Sequence, residues 1–290
     1  MRIAKKPGSA SKEGAMKRSL TVAFGLLATL DVGGACAQSP PPLDVLGIQL
    51  GMSADQAVQI VNSHATELSA QNVKMAVEPM RIAYNAIPKP IVWGVRAAAI
   101  GNGPVPGETI IVVFTMPPNQ QVVAEVHRYV QYGANNKPAK DILLASLRKK
   151  YGPESARQKD VTDINHSWLF KDGRQQFFSS QYGADALYLS SCNSAIEGYA
   201  ITFGISDDSE KLNRILNQGF PADVMSKCGS RASAMTAFDH DLVSSFGVSI
   251  VDLAMEAAAL EKTRTMLQNA AAAKHQEEIE KAKQFPAPKL

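Results

Sequence analysis

Hydrophobic positions near residue 50 follow the spacing of an amphipathic helix. Apolar residues recur every three or four positions from Ala57 to Leu68, which predicts a helix over 54–69. Ser53 is a suitable N-cap, and Gln56 stands three residues later, as a capping box requires. Met52 precedes the cap, where a hydrophobic staple would stand. The alternative for the stretch 47–61 is a ligand-binding loop, but these capping residues favour the start of a first helix.

Downstream of this helix the pattern changes to strand-like alternation. Pro79 interrupts the first alternating run and predicts a break, a bulge or a sheet edge. Pro117-Pro118-Asn119 is a turn signal between two apolar runs, which predicts a hairpin over 109–132. The predicted strands are 73–77, 80–84, 91–99, 109–115 and 121–132.

The second half of the chain repeats the order of a helix followed by strands. A helix is predicted to open at Lys137-Pro138 and to end at Gly152-Pro153, with a buried face formed by Leu143, Leu144, Leu147 and Tyr151. Arg148 and its two neighbouring lysines fall in its last turn, where the helix dipole favours cations. Further elements are predicted at 166–170, a turn at 171–173, strands at 177–178, 187–191 and 199–205, a short helix from Asp207, a loop at Gly229-Ser230, and a strand at 246–251.

The C-terminal segment has a different composition. From Leu253 to Lys283 it is rich in Ala, Glu, Lys and Gln and contains no proline, which predicts one long helix. Its apolar stripe is thin and is interrupted by Arg264, so we expect the helix to dock at its start and to project, fray or meet a partner at its end. The fold class predicted from these patterns is α+β, with antiparallel sheets, packed helices and a long C-terminal helix.

The N-terminal residues resemble an export signal. Lys17 and Arg18 precede an apolar run at 20–30, and Ala35-Cys36-Ala37 places small residues where a signal peptidase reads them. Residues 16–37 are therefore predicted to be a signal peptide cleaved before Gln38, with Met1 or Met16 as the start. A buried N-terminal helix is the alternative. A lipoprotein would use Cys36, but Gly33 stands where a lipobox usually has leucine.

Removal of residues 1–37 changes the charge and the cysteine content. The remaining chain has 24 basic and 25 acidic residues, and this balance argues against a nucleic-acid partner. The two remaining cysteines, Cys192 and Cys228, predict one disulfide in an oxidising compartment. The alternative, a cysteine nucleophile, would need a free thiolate, and zinc would need more ligands than these cysteines and the scattered histidines offer.

The pattern divides the chain into four segments. We predict a leader at 1–37, a proline-rich linker at 38–46, an α+β domain at 47–252, and a C-terminal helix and tail at 253–290. The α+β domain could consist of two related units, 47–135 and 136–252, because each begins with a predicted helix. No apolar segment after the leader has the length of a membrane span.

Two stretches carry a family resemblance. "LGMSADQAVQIV" resembles the helix entry of SmpA/OmlA-type outer-membrane lipoprotein domains, which belong to β-barrel assembly, and of β-lactamase-inhibitor proteins with a similar unit. "LLASLRKKYGPES", followed by "HSWLF", is similar to the later part of the same pattern. The resemblance covers about 50–65 and 142–170, and it implies a helix packed on a small antiparallel sheet. Many exported bacterial proteins share this pairing.

Candidate chemistry is sparse along the chain. Asp239-His240-Asp241 is the densest ionisable cluster, and it suggests a metal site or an acid–base pair, with a solvated turn as the alternative. His64, His127 and His166 are isolated and are predicted to be surface or hydrogen-bonded polar residues. The sequence contains no nucleophile elbow, phosphate loop, dinucleotide fingerprint or zinc-protease motif. No catalytic, cofactor-binding or metal-binding residue is therefore assigned.

These observations leave three classes of function. The first is an exported, periplasmic or secreted, non-enzymatic module that binds a protein, a peptide or an envelope component. The second is a hydrolase or a metal-dependent enzyme that uses Asp239, His240 and Asp241. The third is an envelope structural or assembly protein that pairs through its C-terminal helix and forms a helix-mediated oligomer.

Overall fold

The computed structural model of the protein describes residues 43–101, 105–159, 163–177 and 227–285. The segments 1–42 and 178–226 lie outside this part, and they include the predicted leader, the predicted strands 187–191 and 199–205, and the short helix from Asp207. The described helices are α1 (Ala54–Ser69), α2 (Lys140–Tyr151) and α3 (Leu253–Ala282). The described strands are β1 (Asp44–Val45), β2 (Ile48–Gln49), β3 (Met75–Ile82), β4 (Ile91–Ala99), β5 (Gly107–Phe114), β6 (Val123–Gln131), β7 (Ala156–Lys159), β8 (Asp163–Lys171), β9 (Arg174–Gln176), β10 (Ser230–Asp239) and β11 (Leu242–Asp252).

One antiparallel sheet organises the fold and confirms the predicted α+β class. Its strand order is β3-β4-β5-β6-β11-β10-β8-β7, with β9 paired to β8 and a separate small hairpin formed by β1 and β2. The last strand of each half, β6 and β11, pair at the centre. Strands from 47–135 and from 136–252 therefore form one continuous sheet. The relation between these two units stays a prediction.

Helices cover both faces of this sheet. On β5, Ile110 and Val112 belong to the core that contains residues of α1 and α2. Ile111 and Val113 belong instead to a second core with Leu260 and Leu267 of α3. Because successive side chains of a strand point to opposite faces, α1 and α2 lie on one face and α3 lies on the other.

The predicted start of α1 is confirmed. The Ser53 hydroxyl accepts a hydrogen bond from the Gln56 backbone, and the Gln56 side chain accepts one from the Ser53 backbone. This reciprocal capping box satisfies two backbone donors that the first helical turn leaves without partners. Ala57, Val61 and Leu68 are the buried positions of the helix, as the apolar spacing predicts.

The second helix begins later than predicted. It starts at Lys140 rather than at Lys137, because the segment before it pairs with the start of β11. Val243 donates its backbone N–H to the Pro138 carbonyl at 2.9 Å. The predicted end is confirmed: Gly152 terminates α2 with φ of +84°, a conformation that glycine adopts without steric cost. The Trp168 indole donates to the Gly152 carbonyl at 2.9 Å and ties this helix end to β8.

Two strand predictions are corrected. The runs 73–77 and 80–84 form one strand, β3, which continues through Pro79. β3 lies at the edge of the described sheet, where the missing N–H of proline is tolerated, and a bulge follows at Met80/Arg81. The loop predicted at Gly229-Ser230 passes directly into β10, a strand that the pattern did not predict. Its inward positions include Ala232 and Ala234, which are too small to give a strong alternating signal.

The C-terminal helix is present over almost the predicted range, and its buried positions lie in its first half. Its buried residues end at Leu267, and residues 272–282 are all exposed. At about 1.5 Å per residue, this exposed part extends roughly 16 Å.

Candidate functional site

The Asp239-His240-Asp241 cluster forms the turn between β10 and β11. His240 is 95% exposed, and its backbone has φ of +60°, as a tight hairpin turn requires. Lys137 Nζ lies 2.6 Å from Asp239 Oδ2, and this hydrogen bond, with a weaker one from His240, lowers the pKa of Asp239. The Asp241 carbonyl accepts the Lys140 backbone N–H at 2.9 Å. The turn thus positions the start of α2.

The turn encloses no pocket in which a metal ion or an acid–base reaction could be placed. The turn is open to solvent, and Asp239 is engaged by Lys137 and His240. Among the residues that the structure describes, no group of three or more His, Cys, Asp or Glu side chains is arranged to hold a metal ion.

The predicted disulfide is only half within the described residues. Cys228 is 1% exposed and lies directly before β10. Cys192 lies outside the described part, so the pairing of Cys192 with Cys228 stays a prediction.

His64 is the first of three histidines that pair with a glutamate. Its Nε2 lies 2.7 Å from Glu108 Oε2, and Arg128 Nε donates to the other oxygen of the same carboxylate. Glu108 is only 4% exposed, so these two partners satisfy an anion that burial alone would disfavour. The cluster joins α1 to β5 and β6. The sequence predicted a surface or hydrogen-bonded histidine here, but not its partners.

The other two pairs lie elsewhere, one on β6 and one between the α2–β7 connection and β8. His127 and Glu125, two positions apart on β6, hydrogen-bond to each other with 6% and 1% residue exposure. His166 Nδ1 lies 3.0 Å from Glu154 Oε1, and Arg148 contacts the same carboxylate at 2.8 Å. Burial opposes ionisation of Glu154, but the hydrogen bond and charge of Arg148 outweigh it and lower the pKa. The first pair lies within one strand, the second links α2 to β8, and neither lines the two grooves described next.

A groove of about 490 Å³ runs along α1, and we call it the α1 groove. Its apolar wall comes partly from the stretch 47–61, which the sequence left open as a possible binding loop. Polar side chains about one helical turn apart on α1 also line it. The lining residues are Leu46, Met52, Gln56, Gln59, Ile60, Ser63, His64 and Glu67.

A second groove of about 510 Å³ lies between α3 and the β3–β4 connection, and we call it the α3 groove. Two polar contacts hold α3 on either side of it. Thr263 Oγ1 donates to the Pro117 carbonyl at 2.8 Å, and Lys274 Nζ donates to the Asn85 carbonyl at 2.8 Å. Between these contacts the helix presents Met266 and the small Ala270, which leave space above the sheet. The lining is Ala86, Ile87, Pro88, Lys89, Pro90, Ile91, Val92, Pro117, Gln121, Met266 and Ala270.

The chemistry of the α3 groove is apolar. Lys89 is the single charged residue of this lining, and Gln121 already donates to the Val92 carbonyl. An adjoining groove of about 460 Å³ shares Met266 and continues along the other side of the helix. A surface of this kind suits apolar side chains rather than acid–base catalysis.

Comparison with known protein families, curated proteins and solved structures finds no match to this chain. No helix in the described segments has the length and apolarity needed to cross a membrane.

Proposed function

We propose that this chain is an exported, non-enzymatic binding module that receives apolar side chains of a protein or peptide partner in the α3 groove. The observation that carries the proposal is an open groove of about 510 Å³ with one charged residue in its lining. Apolar centres with polar rims are typical of interaction surfaces. The leader-like segment 16–37 supports a periplasmic or secreted location, and the helix-on-sheet resemblance to outer-membrane lipoprotein domains supports an envelope role.

The groove can be filled by one substitution on α3. Ala270 lines the groove, so Ala270→Trp places a large ring in the space that a partner would occupy. Ala272 is exposed on the same helix two residues later, and Ala272→Trp is the matched control. Successive side chains on a helix are about 100° apart, so residues 270 and 272 are about 200° apart and the control ring points away from the groove.

The test is capture of partners from envelope extract by the mature protein. We expect the wild type and Ala272→Trp to retain the same partner, and Ala270→Trp to lose it. Equal capture by all three proteins, or no specific capture by the wild type, would refute the proposal. Circular dichroism of each variant shows whether α3 and the sheet are intact.

Export itself is tested on the full-length chain. The order of Lys17-Arg18, an apolar run and Ala35-Cys36-Ala37 predicts a mature N-terminus at Gln38. Mass analysis of the exported protein reads that terminus and also the state of Cys192 and Cys228. An N-terminus upstream of Gln38, or two free thiols after periplasmic expression, would contradict the corresponding prediction.

A second candidate function is assembly through the projecting end of α3. Residues 272–285 are exposed, and Ile279 and Phe285 are apolar side chains on this part. A deletion of 276–290 leaves the contacts of Thr263, Leu267 and Lys274 in place. If the helix mediates assembly, this deletion lowers the number of subunits measured by sedimentation, whereas an unchanged number of subunits removes the candidate.

A further inference from the structure

The α1 groove contains His64, whose ring orientation is fixed by a hydrogen bond to the buried Glu108. Glu108 accepts hydrogen bonds from His64 Nε2 and from the permanently charged Arg128. Because a carboxylate can only accept, Nε2 of His64 is the donor, and in the neutral ring Nδ1 is then an acceptor. His64 is 17% exposed, so only a small part of its side chain reaches solvent.

Glu67 provides a second acceptor beside that nitrogen. His64 Nδ1 lies 3.9 Å from Glu67 Oε2, and both residues line the groove. Two acceptors at this separation can each take a hydrogen bond of about 2.8–3.0 Å from one ammonium nitrogen. The lining contains no lysine or arginine, so nothing among these residues already occupies that position.

The rest of the groove suits an aliphatic chain. Leu46, Met52 and Ile60 form its apolar wall, and Ser63 and Gln59 lie on the exposed side. An alkylammonium group has matching parts, namely a compact cation with three N–H donors and an apolar stem.

We infer that the α1 groove binds an alkylammonium group, with the ammonium between His64 Nδ1 and Glu67 Oε2 and the stem against Leu46, Met52 and Ile60. The same chemistry occurs in a free aliphatic amine and in a lysine side chain of a peptide. This site is on the opposite face of the sheet from the α3 groove. The binding experiments on this site can therefore succeed or fail independently of those that test the proposed function.

The test uses the mature chain and small probes observed by NMR titration at pH 8. We expect n-pentylamine to shift the resonances of residues along the groove, and 1-pentanol and pentanoate at the same concentration to bind at least about fivefold more weakly. The factor follows from the loss of one charge-assisted hydrogen bond at a partly exposed site. Equal binding of amine and alcohol, or binding of pentanoate in preference, would overturn the inference.

Two variants assign the cation position. Glu67→Gln and His64→Gln are each expected to weaken amine binding about three- to tenfold, whereas Glu78→Gln, which removes an exposed charge from β3, leaves it unchanged. The same weakening by Glu78→Gln would indicate a general charge effect and would contradict the site. Glu67 is 75% exposed, so its substitution does not threaten folding.

A final comparison distinguishes the two sources of the amine. A short lysine-containing peptide and its acetyl-lysine counterpart are titrated beside n-pentylamine. Binding of the lysine peptide but not of the acetylated one indicates a peptide ligand, and binding of the free amine alone indicates a small-molecule ligand. Both results support the inference, and binding of neither overturns it.

Discussion

Replacing Glu108 by glutamine removes the charge that His64 and Arg128 share. Glutamine has a similar shape but offers only one acceptor oxygen. Its amide nitrogen would therefore face His64 Nε2 or Arg128 Nε, a donor from which the carboxylate accepts a hydrogen bond. The lost interaction is one charge-assisted hydrogen bond together with the charge attraction to Arg128, and such hydrogen bonds contribute about 1.5–3 kcal/mol. Glu108 is 4% exposed, whereas Arg128 is 28% exposed and regains some hydration. We therefore expect Glu108→Gln to lower the free energy of unfolding by about 2–3 kcal/mol.

The assay is urea unfolding followed by tryptophan fluorescence. Trp93 and Trp168 are both buried, so their emission reports unfolding of the sheet from two places. Glu67→Gln is the control, because Glu67 lies beside the same histidine but is 75% exposed, and we expect a change within about 0.5 kcal/mol. A Glu108→Gln variant as stable as the control, with an unchanged urea dependence, would refute the reasoning about this cluster.

Three further substitutions test other parts of the fold by the same assay. Ser53→Ala removes the capping box of α1 and is expected to cost about 1 kcal/mol, and an unchanged midpoint would contradict the role of the cap. Gly229→Ala is expected to cost more than about 1 kcal/mol, because φ is +64° and the added Cβ would lie 2.3 Å from the Phe170 carbonyl oxygen. The pKa of Glu154 is lowered in the fold, so its ionised carboxylate stabilises the protein at pH values above the ordinary pKa of a glutamate. This stabilisation is lost as the pH falls through the lowered pKa. Glu154→Gln should therefore lose less stability than the wild type as the pH falls below about 4.5, and parallel curves would exclude this role.

The helices were the most predictable part of the fold, because their signals are local. The Ser53/Gln56 capping box, the Gly152 exit and the alanine-rich composition of α3 each act within a few residues. β4 was predicted with the observed bounds, since all its residues but Arg96 are apolar or glycine. β10 was missed because alanines at its inward positions resemble neither a strand nor a loop.

The candidate sites depend on contacts between distant positions, and the sequence could not predict these. Glu108 lies 44 residues from His64, and Thr263 lies 146 residues from the Pro117 carbonyl that it contacts. One signal was available: Glu108 shares an inward-facing register with Ile110 and Val112 on a strand, which marks a buried charge that needs a partner.

Site-specific photo-crosslinking in living cells tests the central claim most directly. A photoreactive phenylalanine analogue is placed at position 89, at the exposed rim of the α3 groove, so that the groove itself stays open, and at position 272 as the control. A binding module of the proposed kind gives a discrete crosslinked partner in the envelope fraction from position 89 and none from position 272. Crosslinks of equal intensity from both positions, or none from position 89, would contradict the assignment of the α3 groove as the binding surface.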